Sequence, residues 1–248
     1  MEWYREYKFL VSDTVCAAFE PFAPTLFAKS CPRFTDGFLV TIELLVLSSI
    51  IGFLIALAVV LARVSERRLL AAPAWTYVYL FRGTPLLVQL WVVYFGLGGL
   101  GEEALGPALW SLLRDAWWVG LVVLALNTGA YVAEILRGGL VNVPAGQMEA
   151  ALAHGMSWLQ AMRRIMLPQA LRTAWPAYGN ELVLLMKGSA LVSTITVMDL
   201  MGQTRTIFSR SYDLTVYFYA AVMYLVIAGL ITLGCRLVER RLNVAQLA

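Results

Sequence analysis

In a chain that is 60% hydrophobic and 14% charged, polar residues recurring at helical spacing are the first candidates for chemistry. Asn127, Tyr131 and Glu134 fall at i, i+4 and i+7 and so share one helix face. Asn180, Leu184 and Lys187 repeat that spacing, with Glu181 on the adjacent stripe. A charged side chain at mid-helix in hydrocarbon costs about 2.5–3.5 kcal/mol on insertion scales, so both faces are expected to turn toward a bundle or a wet cavity. Two readings stay open for them. Asn127, Asn180 and Glu181 line a path that holds a zwitterionic or cationic solute, or they hydrogen-bond between helices. For Glu134 and Lys187 the structural reading is favoured, and Arg82 and Thr84 are expected to fix a bend and not to touch a solute. No catalytic constellation accompanies them. There is one histidine, His154, no HExxH, and no Gly-rich phosphate loop ending in Lys-Ser or Lys-Thr. No catalytic residue, metal ligand or cofactor is therefore expected on this chain.

A second pattern lies between apolar stretches. Residues 149–168 read EAALAHGMSWLQAMRRIMLP. An Ala-rich arm ends near Gly155, which adopts positive φ without strain. Met156, Trp158, Leu159, Met162, Ile165 and Met166 then recur at three- and four-residue intervals as the apolar face of a second short helix. That helix is expected to end at Pro168, because proline disfavours helix at the residue before it. Such a hairpin, with small residues on its first arm, suits close docking against a partner.

The elements positioning these residues are membrane spans. A mean hydropathy of +0.72 and one residue in seven charged do not describe a water-facing surface, whereas acyl chains accept Leu, Val and Ile. A span needs roughly 20 apolar residues. Five such stretches are expected: Phe38–Ala62, Trp75–Leu97 with a break at Arg82-Gly83-Thr84-Pro85, Trp117–Leu136, Tyr178–Met201 and Val216–Cys235. The fold class is thus an all-α integral membrane helix bundle. Orientation follows from basic residues, which concentrate in cytoplasmic loops. Arg63, Arg67 and Arg68 follow span one, Arg137, Arg163, Arg164 and Arg172 follow span three, and Arg236, Arg240 and Arg241 follow span five. The C-terminus is expected in the cytoplasm and the N-terminus in the periplasm, with residues 1–37 as a periplasmic extension that does not read as a cleaved signal. Of the three cysteines, Cys16, Cys31 and Cys235, only the first two are candidates for a pair.

The hairpin carries a resemblance. Glu149-Ala150-Ala151, then Gly155, Ile165 and Leu167-Pro168, match at every position the EAA motif of permease subunits of bacterial ABC importers. Arg82 to Gln89 (RGTPLLVQ), Asn127 to Gly139 (NTGAYVAEILRGG) and Pro176 to Glu181 (PAYGNE) look like the polar amino acid branch, especially histidine, arginine and opine permeases. The resemblance covers about residues 38–243 and implies a type-1 ABC transmembrane domain with a cytoplasmic coupling loop at about 138–173. In that family Glu149, Ala150, Ala151, Gly155, Ile165, Leu167 and Pro168 would transmit ATPase motion. It implies further partners: a cytoplasmic ATPase dimer carrying ATP and Mg, a second, diverged permease chain, a periplasmic amino acid binding protein and membrane lipid, but no nucleic acid. This chain departs from the common pattern in its long N-terminal extension and at Gly188-Ser189-Ala190. The alternatives are a permease for another small polar solute or a secondary amino acid transporter; the latter predicts inverted repeats and more spans.

Overall fold

Thr84 is extended, φ −117° and ψ 142°, and with Pro85 it divides the second apolar stretch into two helices. Pro85 favours this break because its ring disfavours the α conformation at the preceding residue. The computed structural model describes residues 2–19, 24–65 and 67–244. In chain order the helices are α1 (Glu2–Phe19), α2 (Thr25–Arg63), α3 (Arg68–Gly83), α4 (Leu86–Trp91), α5 (Gly101–Leu105), α6 (Pro107–Leu113), α7 (Ala116–Val141), α8 (Ala145–Ala153), α9 (Trp158–Ala161), α10 (Leu167–Ser189), α11 (Leu200–Ser211) and α12 (Thr215–Val244). A π turn and a 3-10 turn link α4 to α5, a π turn at Met162–Met166 links α9 to α10, and a 3-10 turn at Ala190–Ile195 follows α10. No strand forms among the described residues.

Three of these helices, Thr25–Arg63, Ala116–Val141 and Thr215–Leu242, are long and apolar enough to cross a bilayer. Two broken pairs, Arg68–Gly83 with Leu86–Leu105 and Trp158–Ile195 with Leu200–Ser211, bring the number to as many as five if each pair is one span. Span one, expected at Phe38–Ala62, sits within a helix that begins thirteen residues earlier, at Thr25. The extension and the span are therefore not separated by a break. At 1.5 Å per residue a helix of this length is about 58 Å long, well beyond the roughly 30 Å of hydrocarbon, so part of it must stand outside.

The chain forms two units, each assembled from three stretches. One comprises Met1–Ser48, Leu86–Leu124 and Leu185–Ala228. Its core gathers Phe34, Leu200, Ile207 and Val216. Phe27 stacks on Phe34 at 5.6 Å and meets Tyr219 edge-on at 5.2 Å. Asp199 caps α11 by accepting from the Gly202 amide at 2.9 Å, and the Thr41 hydroxyl accepts from the Leu200 amide at 3.0 Å. A Cβ on Gly37 would lie 2.8 Å from the Asp199 carbonyl oxygen, so only glycine allows α2 this approach. A disulfide joins Cys16 to Cys31. Phe218 and Leu225 of α12 remain exposed, an apolar surface that acyl chains accept and water does not.

The other unit comprises Ser49–Pro85, Ala125–Leu184 and Gly229–Ala248. Its core packs Ala56 and Val60 of α2 and Val78 of α3 with Val132, Ala133 and Leu136 of α7, and reaches Met162, Met166 and Ala170. Small residues set the spacing. A Cβ on Gly139 would stand 2.5 Å from the Ala170 carbonyl oxygen.

Candidate functional site

Helix α8 ends at Ala153, and Gly155 follows at φ +79°. The Met156 amide donates to the Ala151 carbonyl at 3.1 Å and the Gly155 amide to that of Leu152 at 2.9 Å. This pair of bonds is a Schellman ending, which satisfies carbonyls that the helix itself leaves open. Ser157 restarts the chain as a capping box: its hydroxyl accepts from the Gln160 amide at 3.3 Å, and the Ser157 amide donates to Oε1 of Gln160 at 2.9 Å. The expected two-helix hairpin is present, and its turn is at Gly155. One expectation fails. The second helix does not end at Pro168 but runs through it into α10. The π turn at Met162–Met166 immediately precedes the proline. Its wider winding moves the preceding carbonyls out of α register, where the proline ring meets them least.

Burial divides the motif residues. Ala151 is buried with Ala161, Met162 and Met166, anchoring the hairpin on its own unit. Glu149, Ala150, Gly155 and Pro168 are exposed, and Ile165 and Leu167 are half-buried. Leu152, Trp158 and Leu159 are exposed beside them, giving an apolar outer face the motif alone did not single out. A Cβ on Gly155 would meet nothing within 4 Å.

The polar helix faces fare differently from one another. Asn127 donates to the Phe81 carbonyl at 3.3 Å, fixing the end of α3. Tyr77 assists by donating to the Leu126 carbonyl at 2.5 Å. Asn180 is exposed, whereas Glu181 is only 6% exposed. Glu134 binds three cations at once. Arg63 donates to its Oε2, Arg137 donates to its Oε1 at 2.5 Å, and Arg82 lies 3.9 Å from Oε2. Arg82 also sits over the Tyr131 ring at 5.3 Å, so the Tyr131 and Glu134 face is where these arginines converge. Sequence reasoning used Arg63 and Arg137 only as markers of orientation. The i, i+3 spacing of Glu134 and Arg137 was the available signal for one of these pairs. Among the described residues, no group of three or more His, Cys, Asp or Glu could hold a metal ion.

Residues 39–244 match the family described as the binding-protein-dependent transport system inner membrane component. The chain belongs to that family. This permease is 42% identical over 208 residues to an octopine transport system permease protein, OccM, of Rhizobium radiobacter, covering 84% of each chain. It is 38% identical over 217 residues to an arginine ABC transporter permease protein, ArtM, of Haemophilus influenzae, covering 87% of this chain and 95% of that one. Among solved structures it resembles an amino acid ABC transporter crystallised with histidines, at TM-score 0.76 and 36% identity over 87% of this chain and 96% of that chain. A methionine ABC transporter, MetNI, shares the fold at TM-score 0.70 and 23% identity over 85% of this permease and 96% of its own chain. The chain is a multi-pass inner membrane permease subunit and not an enzyme, with an all-helical type-1 importer fold.

Proposed function

We propose that this permease moves arginine-like amino acids or opines, delivered by a periplasmic binding protein, and that residues 149–168 couple it to a separate cytoplasmic ATPase dimer carrying ATP and Mg. The observation that carries the reading is the hairpin itself. Glu149, Ala150 and Gly155 stand exposed beside Leu152, Trp158 and Leu159 at 47%, 40% and 62% exposure, an apolar tip anchored from behind by Ala151, Met162 and Met166. An amphipathic tip of this kind is the shape that fills a groove on a partner. Ile165, Leu167 and Pro168 set the base of the hairpin and join it rigidly to α10.

Orientation belongs to the same proposal. The basic residues after spans one, three and five support a cytoplasmic hairpin. The Cys16–Cys31 disulfide supports a periplasmic side for the extension 1–37, since disulfides persist in that compartment and not in the reducing cytosol. A second, diverged permease chain completes the pore. Asn127, Asn180 and Glu181 serve the solute path, with Asn127 also bonded to α3.

The test is co-expression with the ATPase and binding protein of the same gene neighbourhood. Purification through a tag on this chain should recover the ATPase, and proteoliposomes should take up labelled arginine or octopine only with ATP and binding protein present. ATP-independent uptake would sink the reading.

A further inference from the structure

Arg82 differs from the other arginines around Glu134. Arg63 and Arg137 hydrogen-bond the two carboxylate oxygens. The Arg82 guanidinium stays 3.9 Å away, beyond hydrogen-bond reach. Among the described residues it donates no hydrogen bond at all. Its place is fixed through its face, over the Tyr131 ring at 5.3 Å, which leaves the N–H edge free to recognise an oxyanion. Its side chain is 42% exposed. With Arg63, Tyr131, Glu134 and the stacked pair Trp75 and Tyr79, it lines a cavity of about 400 Å³.

Charge decides which group the occupant must bring. Three guanidiniums face one carboxylate, so 3 − 1 leaves a surplus of two positive charges around Glu134. That surplus calls for an anionic group on the occupant. The carboxylate of an amino acid or opine is such a group, and Arg82 presents its N–H edge to it while its face lies over Tyr131. The cavity volume also suits a small solute.

We propose that Arg82 receives the carboxylate of the transported amino acid or opine through charge-assisted hydrogen bonds from its guanidinium edge. The assignment rests on the reading of this chain as an amino acid permease. It makes Arg82 a specificity residue and not merely a strut for the break at Thr84-Pro85.

The experiment measures equilibrium binding of radiolabelled L-arginine and of agmatine, its decarboxylated analogue, to the purified permease–ATPase complex without binding protein. The wild-type complex should favour L-arginine by about tenfold or more. Arg82→Gln should bring the ratio of the two affinities close to one by weakening L-arginine alone, and Arg82→Lys should restore part of it. An unchanged ratio in Arg82→Gln, equal weakening of both ligands, or a wild-type complex with no preference overturns the assignment. Competition of L-arginine binding by inorganic phosphate also overturns it, in favour of a phosphate or lipid-headgroup site. Failure of the wild-type proteoliposomes to take up any amino acid is a different result, and it sinks the importer reading instead.

Discussion

The Met156 amide reaches the Ala151 carbonyl at 3.1 Å across a left-handed Gly155 at φ +79°. A Cβ at Gly155 meets no atom of this chain within 4 Å, so its cost inside the protein is conformational, about 1–2 kcal/mol in the left-handed region. Asparagine tolerates that region and aspartate adds a charge to an apolar tip. Gly155→Asn should retain most binding-protein-stimulated ATP hydrolysis, whereas Gly155→Asp should accumulate in the membrane yet lose stimulation and uptake. Wild-type uptake by Gly155→Asp would remove the hairpin from the coupling role.

Gly139 tests the packing behind that hairpin. Alanine there already places Cβ 2.5 Å from the Ala170 carbonyl oxygen, and backbone cannot rotate away as a side chain can. Overpacking of this kind costs about 1–3 kcal/mol. Gly139→Ala should lower the detergent melting temperature and the yield, while Gly138→Ala, whose Cβ meets nothing within 4 Å, should do neither. Equal stability of the two variants would contradict the close approach of α7 and α10.

Glu134→Gln removes the shared anion and leaves Arg63, only 12% exposed, with a neutral partner. Hydrogen bonds to charged groups are worth about 1.5–3 kcal/mol, so stability should fall by at least that amount. Thermal unfolding of the solubilised complex would measure it. Loss of less than a fraction of a kilocalorie would mean that water replaces the pair.

The disulfide gives a test of orientation that needs no engineered residue. The sequence has three cysteines, and Cys235 is the free one. Denatured, unreduced protein should take up one alkylating group and reduced protein three. In cells lacking the periplasmic disulfide oxidase the unreduced protein should also take up three. Persistence of the bond in such cells would argue against a periplasmic extension.

Asp199 holds α11 at its first turn, accepting from Gly202 at 2.9 Å. Asp199→Ala should cost about 0.5–2 kcal/mol through the lost cap, and Asp199→Asn much less, because its amide oxygen still accepts. Equal losses, read as melting temperatures, would move the role of Asp199 from the cap to its charge.

The sequence by itself determined what depends on composition and local spacing. Hydropathy located the three unbroken spans and the break at Thr84-Pro85, since solvent preference and the geometry of proline are properties of the residues themselves. The EAA spacing located the hairpin, and Gly155 its turn, because a Schellman ending is closed by bonds among neighbours, Met156 to Ala151 and Gly155 to Leu152. The continuation through Pro168 was not legible, because a π turn is a response to packing and carries no residue signature. Nor was the length of α2, where thirteen residues before Phe38 are helical against neighbours distant in sequence. Tertiary structure alone decided the ion cluster. Arg63 and Glu134 are seventy-one positions apart, and only the folding of α2 and α3 against α7 brings Arg63, Arg82 and Arg137 around one carboxylate. Residues read in sequence as an orientation signal and a helix bend thus became an electrostatic site, because charges interact through distance in space and a sequence records distance only along the chain.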